Sequence, residues 1–149
     1  MKQLVTNATV LTFGGPAEPR AGAAARNVGL IRRGAVLMDE GKIVSVGPAD
    51  IVMKHPDARK GRVHDAGGRV VMPGFVDAHT HPVFGAPRLK DFELRAQGRT
   101  YQEIAAAGGG IVSSVHGVRG TTEKELTALL VERAARFLEC GTTTIEAKS

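Results

Sequence analysis

Two histidines separated by one residue, His79 and His81, have the types and spacing best suited to chemistry in this sequence. Alternate side chains of an extended strand point to the same side, so both imidazoles could reach one metal ion. A bare His-x-His pair is weak evidence, because two histidines this close often occur by chance. This pair follows the sequence Pro-Gly-Phe-Val-Asp-Ala at residues 73–78, and that setting makes it a strong indication of a metal site.

The elements that must position this pair lie in the second half of the chain. Residues 75–79 are mostly apolar, which is typical of a buried parallel strand. Residues 100–103 and 122–125 each have capping-box spacing and predict a helix start. Apolar residues at helical period follow the second start, Gly141 suits the helix end, and β-branched residues 142–146 predict a strand. This order predicts a right-handed β-α-β crossover that opens a parallel sheet or barrel.

The first seventy residues predict short strands separated by glycine and proline. The tripeptides at 39–41 and 66–68 each contain glycine and lie between two β-forming runs, which predicts two hairpins. Strands at this spacing favour a small antiparallel sheet or sandwich. The run Gly108-Gly109-Gly110 lacks the context of a phosphate-binding loop, and we expect a flexible loop near the pocket.

Composition excludes several classes of protein. Hydrophobic residues make up 42% of the 149 residues, which is typical of globular chains. No apolar run reaches the roughly 18 residues that a membrane span needs. The single cysteine, Cys140, fits a reducing compartment, so we expect a soluble cytoplasmic protein without a membrane partner. The net charge of +5 could suggest nucleic-acid binding, but basic and acidic residues are interleaved and aromatic residues are only 4%. We therefore expect no nucleic-acid partner.

A family resemblance appears around the histidine pair. Residues 72–81, Met-Pro-Gly-Phe-Val-Asp-Ala-His-Thr-His, resemble the metal-binding first barrel strand of the amidohydrolase superfamily. Residues 39–47 resemble the small β-sandwich that this superfamily builds around its (β/α)₈ barrel from both chain ends. Within the superfamily, five segments of the chain resemble the imidazolonepropionase family: residues 81–88, 92–95, 101–105, 108–115 and 143–149. His116 departs from that family, whose members normally carry arginine there.

The resemblance implies roles for particular residues. His79 and His81 match the two first-strand ligands of one divalent metal, zinc or iron. Arg88 matches the arginine that holds the propionate of 4-imidazolone-5-propanoate, and Tyr101 matches a tyrosine near the same small-molecule substrate. The implied reaction is metal-dependent hydrolysis of a ring C–N bond to N-formimidoyl-L-glutamate. No catalytic acid or base is assigned within this chain, because that family takes its other ligands and its acid–base residues from later strands.

The implied fold class is α/β with a small β-sandwich. Residues 1–72 would form the N-terminal part of the sandwich, and residues 73–149 would start the barrel and reach about its second strand. A complete (β/α)₈ barrel typically needs about 250 residues. We therefore expect the N-terminal portion of such an enzyme, inactive alone, which would associate with a C-terminal half or with further copies of itself.

Two alternatives remain open at this point. The chain could belong to another amidohydrolase, such as a cyclic deaminase or a dihydroorotase-like enzyme, although residues 84–88 and 101–114 argue against it. It could also be a non-catalytic module that complements a separate C-terminal half.

Overall fold

The computed structural model describes residues 1–16 and 18–148, so Ser149, the last residue of the predicted barrel segment, lies outside the described residues. The chain folds as two compact units, Met1–Pro73 and Gly74–Ser149. No helix in the described part of the chain is long and apolar enough to cross a membrane.

The first unit is a mixed five-stranded sheet. Its strands are β1 (Gln3–Leu11), β2 (Leu30–Asp39), β3 (Lys42–Pro48), β4 (Arg62–Asp65) and β5 (Val70–Val71). The order is β3-β2-β1-β4, and β5 also pairs with β1. A short helix α1 (Ala49–Val52) and two 3₁₀ segments, Gly22–Arg26 and Ala58–Lys60, complete the unit.

The predicted hairpin at residues 39–41 is confirmed, with a tighter turn than expected. β2 and β3 are antiparallel, and Asp39 pairs with Lys42, which leaves Glu40 and Gly41 as a two-residue turn. Both turn residues have positive φ, 49° and 76°. Left-handed backbone at both central positions matches the right-handed twist of the flanking strands, and this explains why glycine is needed at Gly41.

The predicted second hairpin, at residues 66–68, is wrong. β4 and β5 do not pair with each other; both run parallel to β1, with Thr6 opposite Asp65 and Thr9 opposite Val70. One oxygen of the Asp65 carboxylate accepts hydrogen bonds from Gly67 N at 2.7 Å and from Asn7 Nδ2 at 2.9 Å. This turn lets the chain continue along β1 instead of reversing, so the sheet is mixed and not antiparallel.

The core of the first unit lies on both faces of its sheet. One buried cluster contains Leu4, Ala35, Leu37, Val52 and Ala58, and the other contains Ala8, Val10 and Val36. Consecutive strand residues point to opposite faces, so β2 supplies both clusters from neighbouring positions. The central strands are therefore covered on two sides, which accounts for the apolar run in β2.

The second unit has the predicted strand–helix–strand order. It contains β6 (Phe75–Thr80), α2 (Leu89–Ala96), α3 (Tyr101–Ala106), α4 (Gly110–Arg119), α5 (Glu123–Glu139) and β7 (Thr142–Ala147). β6 and β7 are parallel neighbours. Both predicted capping boxes are confirmed, with Thr100 and Glu103 opening α3 and Thr122 and Glu125 opening α5.

One expectation for this unit is wrong, and another is only partly confirmed. The first strand is not buried within the described residues, since Phe75 and Val76 are 55% and 69% exposed. Among the described residues β6 pairs with one strand, whereas a buried parallel strand has neighbours on both sides and cover on both faces. The predicted glycine loop is shorter than expected: Gly108 and Gly109 lie between α3 and α4, and α4 begins at Gly110.

The sheet core of the first unit gives a stability prediction. Leu37 is 0% exposed and Ile43, on the neighbouring strand, is 66% exposed. Leu37→Ala should lower the free energy of unfolding by about 2–5 kcal/mol, because it removes buried contacts and leaves a cavity. Ile43→Ala should change it by less than about 1 kcal/mol. Urea unfolding of both variants checks this, and equal losses would contradict the burial argument.

The capping box of α5 gives a pH prediction. Hydrogen bonds from the Thr122 hydroxyl and backbone N–H hold the pKa of Glu125 below its usual 4.5. Because the folded-state pKa is lowered, the stabilisation is present above pH 4.5 and is lost as pH falls through the folded pKa. Thr122→Val should raise the pKa of Glu125 toward its usual value and fray the helix. Thr127→Val, which removes a hydroxyl bonded to Glu123 O, is the control in an NMR titration and should leave that pKa unchanged.

Candidate metal and carboxylate site

The two histidines lie together at the carboxyl end of β6. His79 is the next-to-last residue of the strand, and His81 follows the strand's last residue. Their ring centroids are 5.2 Å apart and the ring planes meet at 80°. The extended backbone places alternate residues on one side, so both imidazoles are available to a common ion.

A carboxylate on the neighbouring strand contacts the first histidine. Glu146 Oε2 lies 3.1 Å from His79 Nδ1. The parallel register, with Asp77 opposite Ile145 and Thr80 opposite Ala147, brings these side chains together. Metal-binding histidines commonly donate their second ring N–H to a carboxylate, which fixes the tautomer and ring orientation. Glu146 therefore suits a supporting role that leaves His79 Nε2 for an ion.

Sequence reasoning missed Glu146, although a signal was present. Residues 142–146 were predicted as a strand following a crossover helix, and a crossover implies parallel pairing with the first strand. That pairing puts the end of one strand beside the end of the other. The register that selects Glu146 comes only from the structure.

The donor chemistry fits part of a metal site. Neutral imidazole is a good ligand for divalent transition metals. Among residues 1–16 and 18–148, however, no group of three or more His, Cys, Asp or Glu side chains is placed to hold a metal ion. Catalytic zinc usually takes three protein ligands. The two histidines thus fit as part of a ligand set that the described residues do not complete.

An open cavity of about 750 Å³ begins beside His81 and extends to Arg88. Its remaining lining comes from the loop after β6 and from α4: Val83, Phe84, Ala86, Pro87, Ile111, Ser114, Val115, Val118 and Arg119. The walls are mainly apolar with a few polar groups, as in many sites for small molecules. The structure therefore brings one histidine and one arginine of the predicted set into a single cavity.

Asp91 connects Arg88 to the start of α4. Its Oδ2 atom lies 3.6 Å from Arg88 Nη1 and accepts a hydrogen bond from Gly110 N at 2.8 Å. A Cβ atom at Gly109 would collide with the Asp91 carboxylate. Gly109 and Gly110 therefore lie in close contact with Asp91 on α2.

Tyr101 is not brought to this cavity. It is the first residue of α3, its side chain is exposed, and it is absent from the cavity lining. His116, on α4, is also exposed and does not line the cavity. Asp77 has a local role, because its carboxylate accepts a hydrogen bond from His79 N at 3.2 Å.

A family match defines the class of protein, and solved structures show the same fold. A model of the amidohydrolase family matches residues 62–135. A metal-dependent hydrolase from Pyrococcus furiosus is similar in fold, with a TM-score of 0.61 at 11% identity, over 100% of this chain and 44% of that one. A prolidase complexed with N-methylphosphonate-L-proline gives 0.58 at 17% identity, over 99% and 26%. The chain belongs to the amidohydrolase superfamily.

Within that superfamily, the chain is similar to curated imidazolonepropionases. That of Solibacter usitatus is 50% identical over 141 residues, 94% of this chain and 33% of the relative. That of Chloroflexus aggregans is 44% identical over 147 residues, 98% of this chain and 34% of the relative. The chain thus spans about a third of the length of these relatives.

The histidine pair gives a prediction for metal binding. This chain replaces the matching third of the Solibacter usitatus relative, so that residues outside it can complete the ligand set. In that chimera, His79→Ala and His81→Ala should each abolish stoichiometric binding of Co²⁺, because each removes a ligand. Glu146→Ala should weaken binding about 10- to 100-fold through loss of its hydrogen bond to His79 Nδ1. His116→Ala is the control, because this histidine is exposed and belongs to α4. Titration followed by visible absorption checks the series, and wild-type binding by His79→Ala would rule out the assignment.

Proposed function

We propose that this chain supplies the first two metal ligands and the carboxylate anchor of an imidazolonepropionase. The reaction is hydrolysis of a ring C–N bond of 4-imidazolone-5-propanoate to N-formimidoyl-L-glutamate. The observation that carries the proposal is that His81 and Arg88 line one cavity. A metal ion at one end and a guanidinium at the other suit a substrate with a reactive ring and a carboxylate tail. The names of the curated relatives support the same substrate.

Arg88 is suited to hold the propionate. A guanidinium presents paired N–H donors that match the two oxygens of a carboxylate. Asp91 is 3.6 Å from Arg88 Nη1 and also accepts a hydrogen bond from Gly110, so it orients the guanidinium while other donors stay available. Tyr101 stays a proposed substrate contact on the strength of the family resemblance.

The residues of this chain orient the substrate and the metal ligands for hydrolysis. When bound, a divalent zinc or iron ion supplies Lewis-acid activation of water for attack on the ring carbonyl carbon. His79 and His81 would each offer a ring nitrogen to that ion, and Glu146 accepts a hydrogen bond from His79 Nδ1. Arg88 fixes the carboxylate and therefore the direction of the ring. The apolar residues of α4 that line the cavity would lie against the ring face.

We further propose that residues 1–72 belong to the small β-sandwich and residues 73–149 to the barrel. The remaining metal ligands and the acid–base residues would come from outside these residues, through a C-terminal half or a second copy. One cysteine in 149 residues is consistent with a cytoplasmic enzyme.

A chimera tests the function directly. This chain replaces the matching third of the Solibacter usitatus relative, and ring opening is followed by loss of substrate absorbance. We expect the chimera to turn over 4-imidazolone-5-propanoate. It should not turn over guanine or dihydroorotate, which are tested as alternative substrates. A chimera that is folded and metal-loaded but inactive on this substrate, beside an active parent, would contradict the proposal. Turnover of guanine or dihydroorotate instead would favour a different amidohydrolase.

Arg88 has a matched control in the same chimera. Arg88→Gln should raise KM about 10- to 100-fold, because charge-assisted hydrogen bonds to the propionate are lost. Arg95→Gln, at the exposed far end of α2, should leave KM unchanged. Equal kinetics for the two variants would remove Arg88 from the binding site.

A further inference from the structure

We propose that Arg133 is a positioning residue for this site. It lies on α5 and holds the loop that joins His81 to Arg88. The inference rests on the proposed function, because it gives that loop a role in aligning the metal ligand with the carboxylate anchor. Arg133 touches neither the reacting atoms nor the cavity and acts through the loop backbone.

Arg133 makes three contacts with adjoining parts of this loop. Its Nη1 atom donates hydrogen bonds to the carbonyl oxygens of Pro82 at 2.7 Å and Phe84 at 2.8 Å. Its guanidinium carbon lies 3.4 Å from the centroid of the Phe84 ring. Loop carbonyls that have no strand or helix partner need other donors. One rigid guanidinium provides both donors and a stacking surface, which fixes the backbone on either side of Val83.

The position of Arg133 in its helix is itself informative. The half-buried face of α5 is otherwise apolar, with Leu126, Leu129, Leu130, Ala134 and Phe137. A charge on such a face is costly unless it is paired or hydrogen-bonded. Among the described residues, Arg133 has no carboxylate within ion-pair distance. Its partners are the two carbonyl oxygens and the aromatic ring, so the guanidinium charge stabilises the loop.

The loop is also held from α4. A Cβ atom at Gly85 would lie 2.6 Å from Gly117 O, so the loop backbone contacts that helix directly. Arg133 fixes the segment next to His81, and the glycine contact fixes the segment toward Arg88. Loss of Arg133 should therefore loosen residues 82–84 and, because the loop is then held at fewer points, should also loosen the stretch that leads to Arg88.

The test compares Arg133→Met with Arg136→Met in the full chain. Arg136 lies on the same helix, is 73% exposed and pairs with Glu132 on its own helix. Amide hydrogen exchange of residues 83–88 is measured together with binding of propionate, followed by NMR at the Arg88 side chain. Arg133→Met should speed exchange and weaken propionate binding about tenfold each, because charged hydrogen bonds are lost. Arg133→Lys should recover part of both effects, and Arg136→Met should show neither.

The outcomes separate this inference from the proposed function. If Arg133→Met matches Arg136→Met in both measurements, the positioning role is wrong. If both arginine variants speed exchange throughout α5, the effect is general destabilisation and the role is also wrong. If the unsubstituted chain does not bind propionate, the carboxylate site fails, while the loop-specific exchange still decides whether Arg133 holds the loop.

Discussion

Backbone hydrogen bonding between β6 and β7 is the constraint on which the candidate site depends. Phe75 N donates to Gly141 O at 2.8 Å at one end of the pair, and Lys148 N donates to Thr80 O at 3.0 Å at the other. Parallel pairing brings the carboxyl ends of both strands to the same edge. That edge carries the histidines on one strand and Glu146 on the other. Without this register, the carboxylate would not reach His79.

The helices between the strands then determine what else reaches this edge. Asp91 on α2 contacts both Arg88 and the first residue of α4, so the arginine and the apolar cavity wall are fixed together. Arg133 on α5 holds the loop through two of its carbonyl oxygens. Small residues allow these approaches, since a Cβ atom at Gly109 would collide with Asp91. The site is thus an assembly of loop and helix contacts around one strand pair.

Local interactions explain which elements could be predicted. A capping box is completed within four residues, so Thr100 and Thr122 indicated α3 and α5 correctly. The 39–41 turn is also local, because positive φ at Gly41 decides it. The 66–68 turn looked similar, yet its outcome depends on Asn7, far away in sequence, which hydrogen-bonds to Asp65. The start of α4 was missed because Asp91, nineteen residues earlier, accepts the hydrogen bond from Gly110.

The sequence by itself determined the chemistry available: two imidazoles at alternate positions of a strand, an arginine a few residues later, and the helices of a crossover. These features depend on local backbone geometry, which residues close together in the sequence determine. Only the tertiary structure decided that His81 and Arg88 line one cavity, that Tyr101 does not, and that Glu146 contacts His79. These relations depend on strand register and helix packing, which are set by contacts between residues distant in the chain.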